Sequence, residues 1–147
     1  MDIESLLRSL NDHSVEYIVI GATAFAVHGY ARATLDVDIF IRPTAENARR
    51  TRRALSAFGY DLADVTDEEL LTKKVLIRQY LVEVDVHPFA QGVTFDEVWS
   101  KRVLDRLGQT PAAFASLDDL IRMKEAAARP KDLEDLRVLR RLRGDRR

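Results

Sequence analysis

The chain has 147 residues and a net charge of −1, with 46% apolar residues, 32% charged residues and no cysteine. That balance is ordinary for a globular protein with a sizeable core, and it fits one domain over residues 1–147. It excludes a disulfide framework, a thiolate metal site and a thiol nucleophile. Apolar runs are too short to cross a bilayer, and Asp2 and Glu4 stand where a secretory leader would carry lysines, so a cytoplasmic location without membrane association is expected.

Ile3, Leu6, Leu7 and Leu10 at helical spacing predict a first helix over 1–10. A β-branched run over 17–20, ended by Gly21, predicts a buried strand, followed by a helix over 22–28 that stops at Gly29. Residues 35–41 alternate cleanly up to Pro43 and read as a strand. Thr44 caps a helix to about Phe58, closed by Gly59. Residues 60–71 fit a short strand and then a helical turn over 67–71. Two strands follow, over 73–79 and 81–87, joined near Tyr80, and then a short helix over 94–100. Gly108 and Pro111 act as breakers in an irregular or short β region over 101–115. Ser116 caps a helix to about Ala128, and Pro130 opens the last one at its first position. The expected core spans about 15–90, with a helical C-terminal part over about 116–143.

Charge is uneven along this order. Arg49, Arg50, Arg52 and Arg53 cluster in one helix, and six arginines stand against Asp145 from Arg137 onward. Such stretches can neutralise phosphates, but a solvated helix face and a chain end are the commoner reading.

The strand over 35–41 turns Leu35, Val37, Ile39 and Ile41 to one face and Asp36 and Asp38 to the other. Paired carboxylates repel each other unless water or a cation separates them, and hard cations such as Mg²⁺ prefer such oxygens. The strand over 81–87 repeats the pattern, with Glu83, Asp85 and His87 opposite three valines. Each strand alone fits the wet side of a sheet; two together, acidic at almost every polar position, fit a metal site. His87, beside Pro88, reads more readily as structural. The turn at Gly21 leads a strand into a helix, where free backbone N–H groups favour an anion. Lys124 falls on the apolar stripe of Leu117, Leu120 and Ile121, so it either snorkels or meets an anionic partner. Asp132, eight residues on, borders another apolar face.

The stretch YIVIGATAFAVHGYARATLDVD, from Tyr17 to Asp38, resembles the nucleotidyltransferase superfamily, particularly small bacterial members related to abortive-infection and toxin–antitoxin nucleotidyltransferases. Gly21, Asp36, Asp38 and Asp85 fill that family's glycine turn, acid–apolar–acid strand and third carboxylate. The segment LIRMKEAAARPKDLEDLRVL adds Lys124, Lys131 and Asp132 as counterparts of a recurring helical lysine and Lys-Asp pair. Arg32 and Thr34, in the lead into the acid strand, are also similar; Arg32 suits either phosphate or an acidic partner. One departure is Ala22, where the family has a second Gly or Ser; Thr23 is the neighbouring hydroxyl.

The resemblance implies an α/β (α+β) fold: a mixed sheet flanked by helices, with further helices at the C-terminal end. It implies transfer of a nucleoside monophosphate from a nucleoside triphosphate to a hydroxyl acceptor, with Mg²⁺ or Mn²⁺ on Asp36, Asp38 and Asp85. Gly21, Ala22, Thr23, Arg32, Lys124, Lys131 and Asp132 become the nucleotide and phosphate residues. The acceptor could be a small molecule, a tRNA end or a protein hydroxyl, and a homodimer or partner chain could complete the site. A non-catalytic nucleotide-binding module, one half of a toxin–antitoxin-like pair, is the rival reading, and a metal-dependent nuclease is a third.

Overall fold

The computed structural model describes residues 2–32 and 34–145. The expected helix start at Met1, Ala33 of the lead into the acid strand, and the last two arginines lie outside the described residues. Among the described residues, six strands form one mixed sheet in the order β3-β4-β2-β1-β6-β5. Helices flank it, and no helix is long and apolar enough to cross a membrane.

Helix α1 (Ile3–Asp12) begins where Asp2 accepts the N–H of Ser5, and it buries Leu6, Leu7 and Leu10. Strand β1 (Tyr17–Ile20) is buried throughout and pairs antiparallel with β2 (Asp36–Ile41). Between them run α2 (Gly21–Phe25) and a 3-10 turn (Ala26–His28) that ends at Gly29 with φ near 101°. Helix α3 (Ala45–Phe58) has the expected Thr44 cap and Gly59 stop. Asn47 fixes its start: its amide nitrogen donates to the carbonyls of Glu16 and Arg42, and its oxygen accepts from the N–H of Glu16.

Residues 60–66 form no strand, contrary to the sequence reading. The chain there is held to α3 by one of its arginines instead: Arg52 donates to the carbonyls of Leu62 and Val65. Helix α4 (Asp67–Thr72) follows, opened by a reciprocal capping box between Thr66 and Glu69. Strands β3 (Val75–Ile77) and β4 (Glu83–His87) are shorter than expected, because residues 78–82 bend between them. After α5 (Phe95–Ser100), the region read as irregular is a regular hairpin of β5 (Val103–Leu107) and β6 (Thr110–Phe114). Pro111 is a strand residue, not a breaker: pairing of β1 with β6 is confined to Val19 and Phe114, so its position needs no ladder donor on that side. Gly108 turns the hairpin at φ 61°, and a Cβ there would meet the Glu4 carboxylate at 2.6 Å. Glu4 in turn accepts from the N–H of Gln109 and the hydroxyl of Thr110, tying the hairpin to α1.

Helix α6 (Leu117–Ala127) starts at Ser116 and ends at Ala128 in the left-handed region. A 3-10 turn (Pro130–Asp132) then leads into α7 (Leu133–Asp145). The basic stretches are largely paired within the chain. Arg49 and Arg50 meet Glu46; Arg137, Arg140 and Arg143 meet Glu134, Glu125 and Asp118.

Candidate functional site

Strands β2 and β4 run parallel with Asp36 opposite Glu83, Asp38 opposite Asp85 and Phe40 opposite His87. Paired residues on adjacent strands share a face. The alternation that buries Val37, Ile39, Val84 and Val86 on one side therefore gathers the acids on the other. Asp38, Asp85 and His87 each offer a ligand atom within 4.8 Å of the others. His87 Nε2 lies 2.8 Å from Asp38 Oδ1. Two carboxylates and an imidazole on neighbouring strands are a donor set that fits a divalent cation: carboxylate oxygen suits Mg²⁺ and Mn²⁺, and imidazole suits borderline metals.

Gly21 shapes the other side of Asp38. Its φ is 70°, and a Cβ there would stand 2.6 Å from Asp38 Oδ2. The glycine thus serves twice, permitting a left-handed backbone and leaving room for the carboxylate. On the outer side, Arg78 bridges Glu83 and Asp85. The hydrogen bond to Asp85 raises the Arg78 guanidinium above its ordinary value, and the nearby Asp36 charge adds to this.

Asp38, Asp85 and His87 line a cleft of about 540 Å³. Lys74, Lys124, Arg129 and Lys131 supply a basic wall, and Phe25, Phe89, Leu120 and Met123 an apolar one. Acid, base and aromatic side by side suit a ligand with both a polyphosphate and a ring.

Behind the basic wall lies a buried ionic network. Asp132, 1% exposed, accepts from Lys124 Nζ at 3.0 Å and from Arg129 Nε at 2.9 Å. The Arg129 bond, with Lys124 adding to it, holds the Asp132 carboxyl well below the usual carboxylate range, against the opposing effect of burial. Asp135 accepts from Arg32 at 2.9 Å and from the Tyr30 hydroxyl at 3.1 Å, and lies 3.4 Å from Lys124. Lys124 also sits 5.6 Å from the centre of the Phe25 ring.

Residues 1–140 match the family described as nucleotidyltransferase of unknown function (DUF6036). The chain belongs to this family. No curated protein matches it.

This DUF6036 family member brings Gly21, Asp38, Asp85, Lys124 and Lys131 to one cleft. Asp36 shares their face but lies outside the close trio, and its carbonyl accepts from Thr23 and Thr34. The Thr23 hydroxyl is thus turned to the backbone rather than to the cleft, and Ala22 packs half-buried against the core. Arg32 takes the acidic partner of its two readings, and Lys124 has the anionic partners that its stripe position allowed. Asp132 is a buried anchor that does not line the cleft. His87, read as structural, sits against Asp38 in the trio; its place in the alternation of β4 was the available signal. Arg78 and Lys74 had no motif to reveal them. Arg129 had a faint one, three residues ahead of Asp132 at capping spacing.

Proposed function

We propose that the cleft performs metal-dependent nucleotidyl transfer from a nucleoside triphosphate to a hydroxyl acceptor. The observation that carries this reading is the register of β2 on β4, which sets Asp38 opposite Asp85 beneath the Gly21 turn and beside a basic wall. Asp38 and Asp85 would hold Mg²⁺ or Mn²⁺, with His87 against Asp38 and Asp36 one pleat further along the same face. The metal when bound supplies charge stabilisation at the triphosphate and orients it. The chain's own groups do the rest. The Gly21 turn and the cleft lysines Lys124 and Lys131 receive phosphate oxygens, and Phe25 and Phe89 give the base an apolar wall. A carboxylate of the trio takes the proton of the incoming hydroxyl as its oxygen bonds to the α-phosphorus and pyrophosphate departs.

Incubation with labelled triphosphates and a cell lysate tests this. Label should pass to an acceptor with release of pyrophosphate, and Asp36→Ala with Asp38→Ala should abolish it, a loss of at least roughly 10²–10³ in rate. Full activity in that folded double variant would refute the assignment. Ala22 favours a second reading, nucleotide binding without transfer, because neither it nor the committed Thr23 hydroxyl offers a side-chain donor at the turn. Triphosphate binding without pyrophosphate release would select it.

A further inference from the structure

Arg129 is held in an unusual way for a half-exposed arginine. Its Nε donates to Asp132 Oδ2 at 2.9 Å, its Nη2 to Oδ1 at 3.2 Å, and its own backbone N–H to Oδ2 at 3.2 Å. Nη1 takes part in none of these bonds. The side chain is still 52% exposed and lines the cleft together with Asp38, whose charge reaches it. Lys124, which lines the same cleft, is placed differently: its side chain is 20% exposed and sits between Asp132 and Asp135.

A guanidinium gripped along one edge by a buried carboxylate has lost its rotamer freedom before any ligand arrives, and presents its other edge to an anion. Phosphate is the anion that such a planar edge receives best.

We propose that Arg129 is a phosphate-binding residue of the cleft, receiving a triphosphate oxygen beside Asp38, and that Asp132 is the positioning residue that aims it. The proposal rests on the reading of the cleft as a triphosphate site.

Titration calorimetry with inorganic tripolyphosphate and Mg²⁺ tests it without requiring the base or the acceptor. Arg129→Gln should weaken tripolyphosphate binding about tenfold or more, the worth of a charge-assisted bond. Arg129→Lys should lose less, since it keeps the charge without the fork. Asp132→Asn should weaken binding in the native background but add little in the Arg129→Gln background, because the two act as one unit. Native affinity in Arg129→Gln overturns the proposal. Equal loss from Asp132→Asn in both backgrounds overturns the positioning role and leaves Asp132 merely structural. Where Asp132→Asn does not fold, the two Arg129 variants decide. Failure of the native protein to bind either tripolyphosphate or any nucleoside triphosphate is a separate result, and it removes the triphosphate site itself.

Discussion

Gly21 shows how one small residue can serve backbone and site together. An alanine at φ 70° carries a strain of about 1–2 kcal/mol. Its Cβ would also stand 2.6 Å from Asp38 Oδ2, so the carboxylate must shift from its place beside His87. Gly21→Ala is therefore expected to lower the urea midpoint and to weaken Mn²⁺ binding in the same protein. Loss of stability with native Mn²⁺ affinity would separate the turn from the metal site. The sequence exposed Gly21, because a glycine between a β-branched run and a helix marks a turn on its own. It concealed His87: alternation put that residue on the acid face, but only the register of β4 on β2 brings its ring to Asp38. A lone histidine carries no pattern of its own.

Helix boundaries were legible because their chemistry is local. Thr44 and Ser116 each accept the N–H three residues on, as the sequence order alone suggests, and Thr94, read as the first residue of its helix, is the cap one position before it. The β5–β6 hairpin was not legible. Gly108 and Pro111 resemble breakers, and β5 is too exposed to show an apolar face. Its turn is tied to Glu4, more than a hundred positions away in the chain. The junction of α6 and α7 has a similar long-range logic and a measurable pH signature. Asp132 has a folded pKa well below that of the unfolded chain, chiefly through Arg129. Its contribution to stability is thus complete above about pH 4 and is lost as pH falls through the folded value. Asp132→Asn should be less stable at pH 7 and should lose less on acidification than the native protein. Urea midpoints at pH 7, 5 and 3 check this; parallel profiles for the two proteins would contradict it.

Side-chain periodicity tells which way a carboxylate points but not which strand lies beside it. Two acid-bearing strands could have stood at opposite edges of the sheet. They do not, because β1 occupies one edge of β2 and leaves the other to β4, whose parallel register then sets Asp38 beside Asp85. The cleft accordingly draws on β2, β4, the α2 turn and α6, segments that meet only in the folded chain. A ligand held by all of them binds the native state and not the unfolded one, so it must stabilise the fold by mass action. At a concentration about a hundred times its dissociation constant the gain is about 2.7 kcal/mol, a rise of roughly 5–10 °C in Tm for a chain of this size. Mg²⁺ with the cognate triphosphate should produce that rise in the native protein and little of it in Asp38→Asn. Asparagine keeps the volume of the side chain and an oxygen for His87 but removes the charge that a cation needs. An equal rise in the variant would put the ligand elsewhere on the fold. A native protein that responds to metal alone as strongly as to metal with triphosphate would make the acid trio a cation site without a nucleotide.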